Sequence, residues 1–211
     1  MTPIKFCGLN TVESVDAAVA AGAAYIGFNF FAPSPRHVTP ERAAGLIAPM
    51  PTSVARVAVL VDADNALIDA VIAAGCDTLQ LHGAETPDRL ASVRARTGLP
   101  VWRAAGVATR VDIAAAIAGA GPADRLLLDA KAPKGAALPG GNGAAFDWRL
   151  LEGMVLPLPW GLAGGLDAGN VGAALAVLRP GFVDVSSGIE DQPGVKSPTK
   201  IKAFAAAVRN A

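Results

Sequence analysis

The chain is poor in the residues that build frameworks other than an apolar core. Cysteine occurs twice in 211 residues, as Cys7 and Cys76. That is too few for a disulfide framework and suits a reducing compartment. The two histidines, His37 and His82, lie too far apart in sequence to suggest a metal motif, so no metal is expected. Neither sign of charge is in excess: 18 basic residues balance 18 acidic ones. This argues against a nucleic-acid partner, which calls for a basic surplus. No apolar run approaches the roughly 20 residues that span a bilayer. The start, Met1-Thr2-Pro3-Ile4-Lys5, has no basic region leading into an apolar stretch, so no signal peptide and no membrane partner are expected. The glycine-rich signature G-x-x-x-x-G-K-[ST] is absent, which disfavours a P-loop nucleotide site. A cytoplasmic protein with no obligate protein partner is expected.

What is present is an apolar, regularly punctuated chain. Hydrophobic residues make up 52% and charged residues 17%, which suits a large core and excludes disorder. At about 150 residues per domain, residues 1–211 read as a single domain. Short continuous apolar runs begin near Ile4, Tyr25, Val57, Leu79, Val101, Leu126, Trp160 and Phe182, 21 to 34 residues apart. Such runs suit strands buried on both faces of a parallel sheet. Helical patterns lie between them: Val12, Val15 and Val19 share one face, and Leu67–Val71 and Ile68–Ile72 pair four apart. Asn10 with Glu13 has capping-box spacing, and Thr39-Pro40, Thr86-Pro87 and Ser197-Pro198 each put a hydroxyl before a first-turn proline. Gly22, Gly75 and Gly98 stand where left-handed caps would end helices. Eight strand–helix units predict a closed (β/α)8 barrel. An open doubly wound sheet is the alternative, but Cys7-Gly8-Leu9-Asn10 after the first strand lacks its G-x-G-x-x-G. The long glycine-rich stretch Ala130 to Ala145 reads as an active-site cover or a tolerated insertion.

In such a barrel the chemistry sits at the C-terminal ends of the strands. The residues there are Cys7, Asn29, Arg36, Asp62, Gln80, His82, Arg103, Asp129, Gly164-Gly165, Asp184 and Ser186-Ser187-Gly188. Small residues in the seventh and eighth loops let backbone N–H groups approach an anion, and with a short extra helix they form the usual phosphate cradle. A phosphosugar is the expected ligand. Cys7 is either a small core residue or a functional thiol. Asp129 directly follows Leu126-Leu127-Leu128, so it must leave the core, find a partner or work in a site. A thiolate facing a carboxylic acid forms an acid–base pair that needs no cofactor. Arg36 is either a solvated loop charge or a bidentate carboxylate ligand. His82 reads as a polar residue packed near the barrel mouth.

Several motifs then resemble one family. Lys5-Phe6-Cys7-Gly8-Leu9, Gly27-Phe28-Asn29-Phe30, Ser34-Pro35-Arg36, Gln80-Leu81-His82-Gly83, Leu128-Asp129, Phe146-Asp147-Trp148, Leu162-Ala163-Gly164-Gly165-Leu166 and Asp184-Val185-Ser186-Ser187-Gly188-Ile189-Glu190 are similar to phosphoribosylanthranilate isomerase of tryptophan biosynthesis. They run in order along essentially the whole chain, and Pro193-Gly194-Val195-Lys196 also fits. Phe6 replaces the usual isoleucine, and Gly140 to Ala145 is alanine-rich where relatives carry basic or hydroxyl residues. The resemblance implies a cofactor-free Amadori rearrangement of a phosphoribosyl substrate. It gives Asp129 the role of acid, Cys7 that of base and Arg36 the anthranilate carboxylate. Gly164, Gly165, Ser186, Ser187 and Gly188 would hold the phosphate, with Gln80, His82 and Asp184 as further substrate contacts. Two rivals are a histidine-pathway isomerase, which usually pairs two aspartates and needs a second phosphate cradle, and a phosphosugar-binding barrel without catalysis.

Overall fold

The computed structural model describes residues 1–131 and 147–211. Eight parallel strands close a barrel in chain order: β1 (Ile4–Cys7), β2 (Tyr25–Asn29), β3 (Ala55–Leu60), β4 (Thr78–Leu81), β5 (Val101–Val107), β6 (Arg125–Ala130), β7 (Trp160–Leu162) and β8 (Phe182–Val185). Closure is made by β8 against β1, where Ile4 faces Val183 and Phe6 faces Val185. Seven α-helices surround the barrel among the described residues: α1 (Val12–Ala20), α2 (Pro40–Ile47), α3 (Asn65–Ala73), α4 (Pro87–Thr97), α5 (Arg110–Ala118), α6 (Val171–Val177) and α7 (Pro198–Arg209). Where an eighth helix is expected, after β6, the described residues carry a 3₁₀ turn at Trp148–Leu151. The expected cover at 130–145 lies outside the described residues beyond Lys131. A small hairpin, β9 (Glu190–Gln192) with β10 (Val195–Lys196), follows β8 and was not anticipated.

Local signals explain most boundaries. Thr39 and Thr86 cap α2 and α4 through their side chains, each before a proline. Ser197 precedes Pro198 at the start of α7 but makes no side-chain cap bond. Gly22, Gly75 and Gly98 all adopt positive φ at helix ends. The first cap shifts by one residue from expectation: Thr11, paired reciprocally with Ser14, caps α1 in place of Asn10 with Glu13. Val12 therefore falls in the first turn and is half exposed, while Val15 is buried. The strand β5 runs on to Val107, so Arg103 sits within it rather than at its end.

Strand alternation divides the apolar residues into two cores. Alternate residues such as Ile26, Phe28, Leu79, Leu81, Leu126 and Leu128 pack outward beneath the helices. The other set, Val57, Trp102, Ala104, Leu127, Ala163 and Phe182 with Tyr25, fills the barrel itself. Above this inner filling the inward positions turn polar, and the site begins there.

Candidate active site

The first strand sets the pattern. Ile4 and Phe6 point into the outer core, with the Phe6 ring edge-on to Phe204 of α7. Lys5 and Cys7 therefore face the barrel interior. Asp129 occupies the equivalent inward position on β6, Asp184 on β8 and Gln80 on β4, all buried. His82 follows β4 and is held there by its backbone N–H to Leu60 O at 2.8 Å. The loop beyond it is latched by Glu85, which accepts from Gly83 N (2.8 Å), Asp62 N (2.9 Å) and Arg103 Nη1 (2.8 Å). Asp62 and Arg103 thus support the rim.

The electrostatics follow from burial. Asp129 is pushed up to about 7, first by loss of water and then by the Asp184 charge; the Ala130 N–H, Lys5 and Arg36 oppose the rise. A carboxyl so placed carries a proton at neutral pH about half the time. His82 is pushed down to about 4 by burial and then by Lys5 and Arg103, so its ring is neutral. Its Nε2 lies 3.7 Å from Asp129 Oδ2, beyond hydrogen-bond reach. His82 Nε2 and Gln80 Oε1 are both buried without a hydrogen-bond partner among the described residues. Orphaned buried polar atoms are rare and call for a partner such as a water or a ligand. Cys7 is raised by burial and then by Asp184, against Lys5 and Lys196.

Arg36 is buried rather than solvated, which overturns the loop-charge alternative. Its Nε and Nη2 grip both oxygens of Glu190, at 2.7 and 2.9 Å. Lys196 Nζ shares Oε1 of the same carboxylate at 2.7 Å and also reaches Ser186 O at 3.0 Å. Glu190 is held below its usual range: burial pushes it up, but Arg36 and Lys196 outweigh that. The hairpin therefore carries the residues that orient Arg36 and tie it to the loop after β8.

The small residues of the loops after β7 and β8 pack against one another. Gly164 and Gly165 follow β7 at φ +91° and +62°. Gly188 packs so closely beneath this loop that an added Cβ would lie 2.0 Å from Leu166 O. Ser186 Oγ donates to Cys7 O at 3.2 Å, and Ser187 opens a 3₁₀ turn rather than a longer helix. Asp184 is already engaged by Lys5, Nζ to Oδ1 at 2.8 Å. Lys5, Lys196 and Glu190 stand in motifs that carry the family resemblance, but the sequence reading gave them no role. Lys5 carried the same signal as Asp129, a charge inside an apolar run.

Comparison with known proteins agrees with this arrangement. The model of the N-(5'phosphoribosyl)anthranilate (PRA) isomerase family matches residues 4–207. The N-(5'-phosphoribosyl)anthranilate isomerase of Paracoccus denitrificans is 55% identical over 204 residues, covering 96% of this chain and 95% of the relative. Phosphoribosyl anthranilate isomerase from Thermotoga maritima superposes over the full length of both chains with a TM-score of 0.89 at 32% identity. A phosphoribosyl anthranilate isomerase in complex with reduced 1-(o-carboxyphenylamino)-1-deoxyribulose 5-phosphate also covers both chains completely, with a TM-score of 0.84 at 30% identity. A closed barrel with a thiol on β1, a carboxyl on β6 and glycine-rich loops after β7 and β8 thus meets a full-length match, and the chain belongs to the N-(5'-phosphoribosyl)anthranilate isomerase family.

Proposed function

We propose that the chain isomerises N-(5'-phosphoribosyl)anthranilate, an aminoaldose, to 1-(2-carboxyphenylamino)-1-deoxyribulose 5-phosphate, an aminoketose, the third step from chorismate to tryptophan. The observation that carries the reading is the pairing of a buried carboxyl titrating near 7 on β6 with a buried thiol on β1. Protonated Asp129 donates to the furanose ring oxygen; the C1–O bond breaks and a Schiff base forms. Cys7, as thiolate, takes the C2 proton, and the resulting enolamine tautomerises to the ketone. Tautomerisation moves the C2 hydroxyl proton to C1, and exchange with water returns a proton to Asp129 and takes one from Cys7, so the chemistry calls for no cofactor.

The remaining residues bind. Gly164, Gly165, Ser186, Ser187 and Gly188 hold the phosphate, whose binding energy supports the reaction from a distance. Arg36, fixed by Glu190, faces the anthranilate carboxylate. Gln80 and His82 direct their unpartnered atoms to the ligand, and Asp184 acts through Lys5 rather than by direct contact. Both cysteines are free thiols, and the reaction belongs in the cytoplasm.

The test is the fall in anthranilate-type fluorescence when the protein meets its substrate. Binding without a fluorescence change would instead identify a phosphosugar-binding barrel. Turnover only of the histidine-pathway aminoaldose would identify that rival.

A further inference from the structure

A thiol with an ordinary pKa near 8.5 is only a few per cent ionised at neutral pH, and burial makes this worse. Cys7 therefore needs a nearby cation, and its own strand supplies one. Lys5 has no exposed surface, although burying a lysine is costly unless its charge is met. Its Nζ binds Asp184 Oδ1 at 2.8 Å. Lys5 and Cys7 meet over β2: an added Cβ on Gly27 would lie 3.1 Å from Lys5 Nζ and 3.0 Å from Cys7 Sγ. A side chain there would have to displace one of the two groups.

We propose that Lys5 is a positioning residue of the isomerisation, its ammonium anchored by Asp184 as the fixed counter-charge that favours ionisation of Cys7. The proposal rests on the reading of Cys7 as the base. The other charges around the thiol are Asp184 from β8 and Lys196 from β10; Glu190 and Arg36 stand behind Lys196, and Asp129 and His82 line β6 and the end of β4. Burial and then Asp184 push the thiol up, and Lys5 is the larger of the two cations pulling it down. Lys196 is shared with Glu190 and Ser186, whereas among the described residues Lys5 hydrogen-bonds Asp184 alone. Burial pulls Lys5 itself down, but Asp184 and Cys7 outweigh it and keep the ammonium charged. Lys5 is thus a counter-ion and not a base. On ionisation the thiol proton goes to water. The C2 proton then goes to sulfur, and Lys5 keeps its three protons throughout.

A merely structural ion pair closing the barrel would not move the thiol titration, so that titration is the readout. In a Cys76→Ser background, Cys7 alkylation by iodoacetamide is followed against pH, with kcat and KM measured beside it. Lys5→Met should raise the thiol midpoint and cut both the alkylation rate and kcat at neutral pH about tenfold or more, one pKa unit being tenfold in thiolate. KM should change little. Asp184→Asn, which removes the opposing anion, should lower the midpoint. The Lys5→Met/Asp184→Asn pair leaves no stranded charge and should titrate above Asp184→Asn alone. In the unaltered protein the Lys5 ¹⁵Nζ signal should shift with the Cys7 midpoint, and that step should vanish in Cys7→Ala. An unchanged midpoint in the Lys5 variants, or a ¹⁵Nζ signal blind to Cys7, overturns the proposal while leaving Cys7 as base. A fully active Cys7→Ser would instead remove the reading on which it rests.

Discussion

At the scale of single residues, the acid role proposed for Asp129 ties turnover to stability. The residue's folded pKa of about 7 lies above the usual carboxylate value. Its contribution to stability is therefore complete below about pH 4 and is lost as pH rises through 7. Asp129→Asn should cut turnover by about 10²–10⁴ while product affinity changes little. The same variant should gain stability relative to the parent as pH rises from 5 to 8. Fluorescence kinetics and urea titrations at the two pH values check both statements; equal pH dependence in parent and variant would sink the assignment. His82 has the opposite sign: with its pKa near 4, its contribution is present above about 6.5 and lost on acidification. Asp129 was legible in the sequence because three leucines lead directly into it. Lys5, in a run read as buried on both faces, carried a similar signal, but its partner Asp184 lies 179 residues away and no local pattern names it.

At the scale of elements, the hairpin β9–β10 is the part that pattern reading missed. Its strands are three and two residues long and carry Glu190 and Lys196 in place of an alternating apolar pattern. The barrel strands were legible because burial on both faces leaves continuous apolar runs. A hairpin held by buried ion pairs leaves none. The consequence for Arg36 is specific. Arg36→Met should raise KM, because a charge-assisted contact is worth roughly 1.5–3 kcal/mol, yet Glu190 keeps Lys196 as its partner. Glu190→Gln takes a shared carboxylate charge from two buried cations at once and should cost more stability than Arg36→Met, on the order of 3–5 kcal/mol. Urea unfolding of the two variants decides; a smaller loss for Glu190→Gln would show that the triad does not act as a unit. The cap of α1 was read one residue early because Asn10 and Thr11 both suit a cap. Thr11 prevails through its reciprocal bonds with Ser14.

At the scale of the whole molecule, the two ends of the barrel divide the labour. The N-terminal end is stoppered by Tyr25, Trp102 and Phe182, with Trp102 centred 5.0 Å from each of the other two rings. The Arg125 guanidinium lies 5.5 Å over Trp102. Conservative removal of this cation, Arg125→Met, should cost about 1–2 kcal/mol of stability and leave kcat unchanged. A large loss of activity at full folding would mean that the stopper reaches the mouth.

Barrel closure also orders events during synthesis. Lys5 waits for Asp184, and the Cys7 carbonyl waits for Ser186, each 179 residues later. At 5–20 residues per second this interval lasts roughly 10–35 s. Through that time β1 has an open edge, and a lysine destined for the interior has no carboxylate to meet it. A ribosome-bound nascent chain stopped after Gly181 should therefore remain protease-sensitive throughout β1, and one released beyond the closing helix should resist. Cys7 leaves the ribosome 179 residues before the Ser186 that its carbonyl meets, so this mouth of the barrel stays unassembled through that interval.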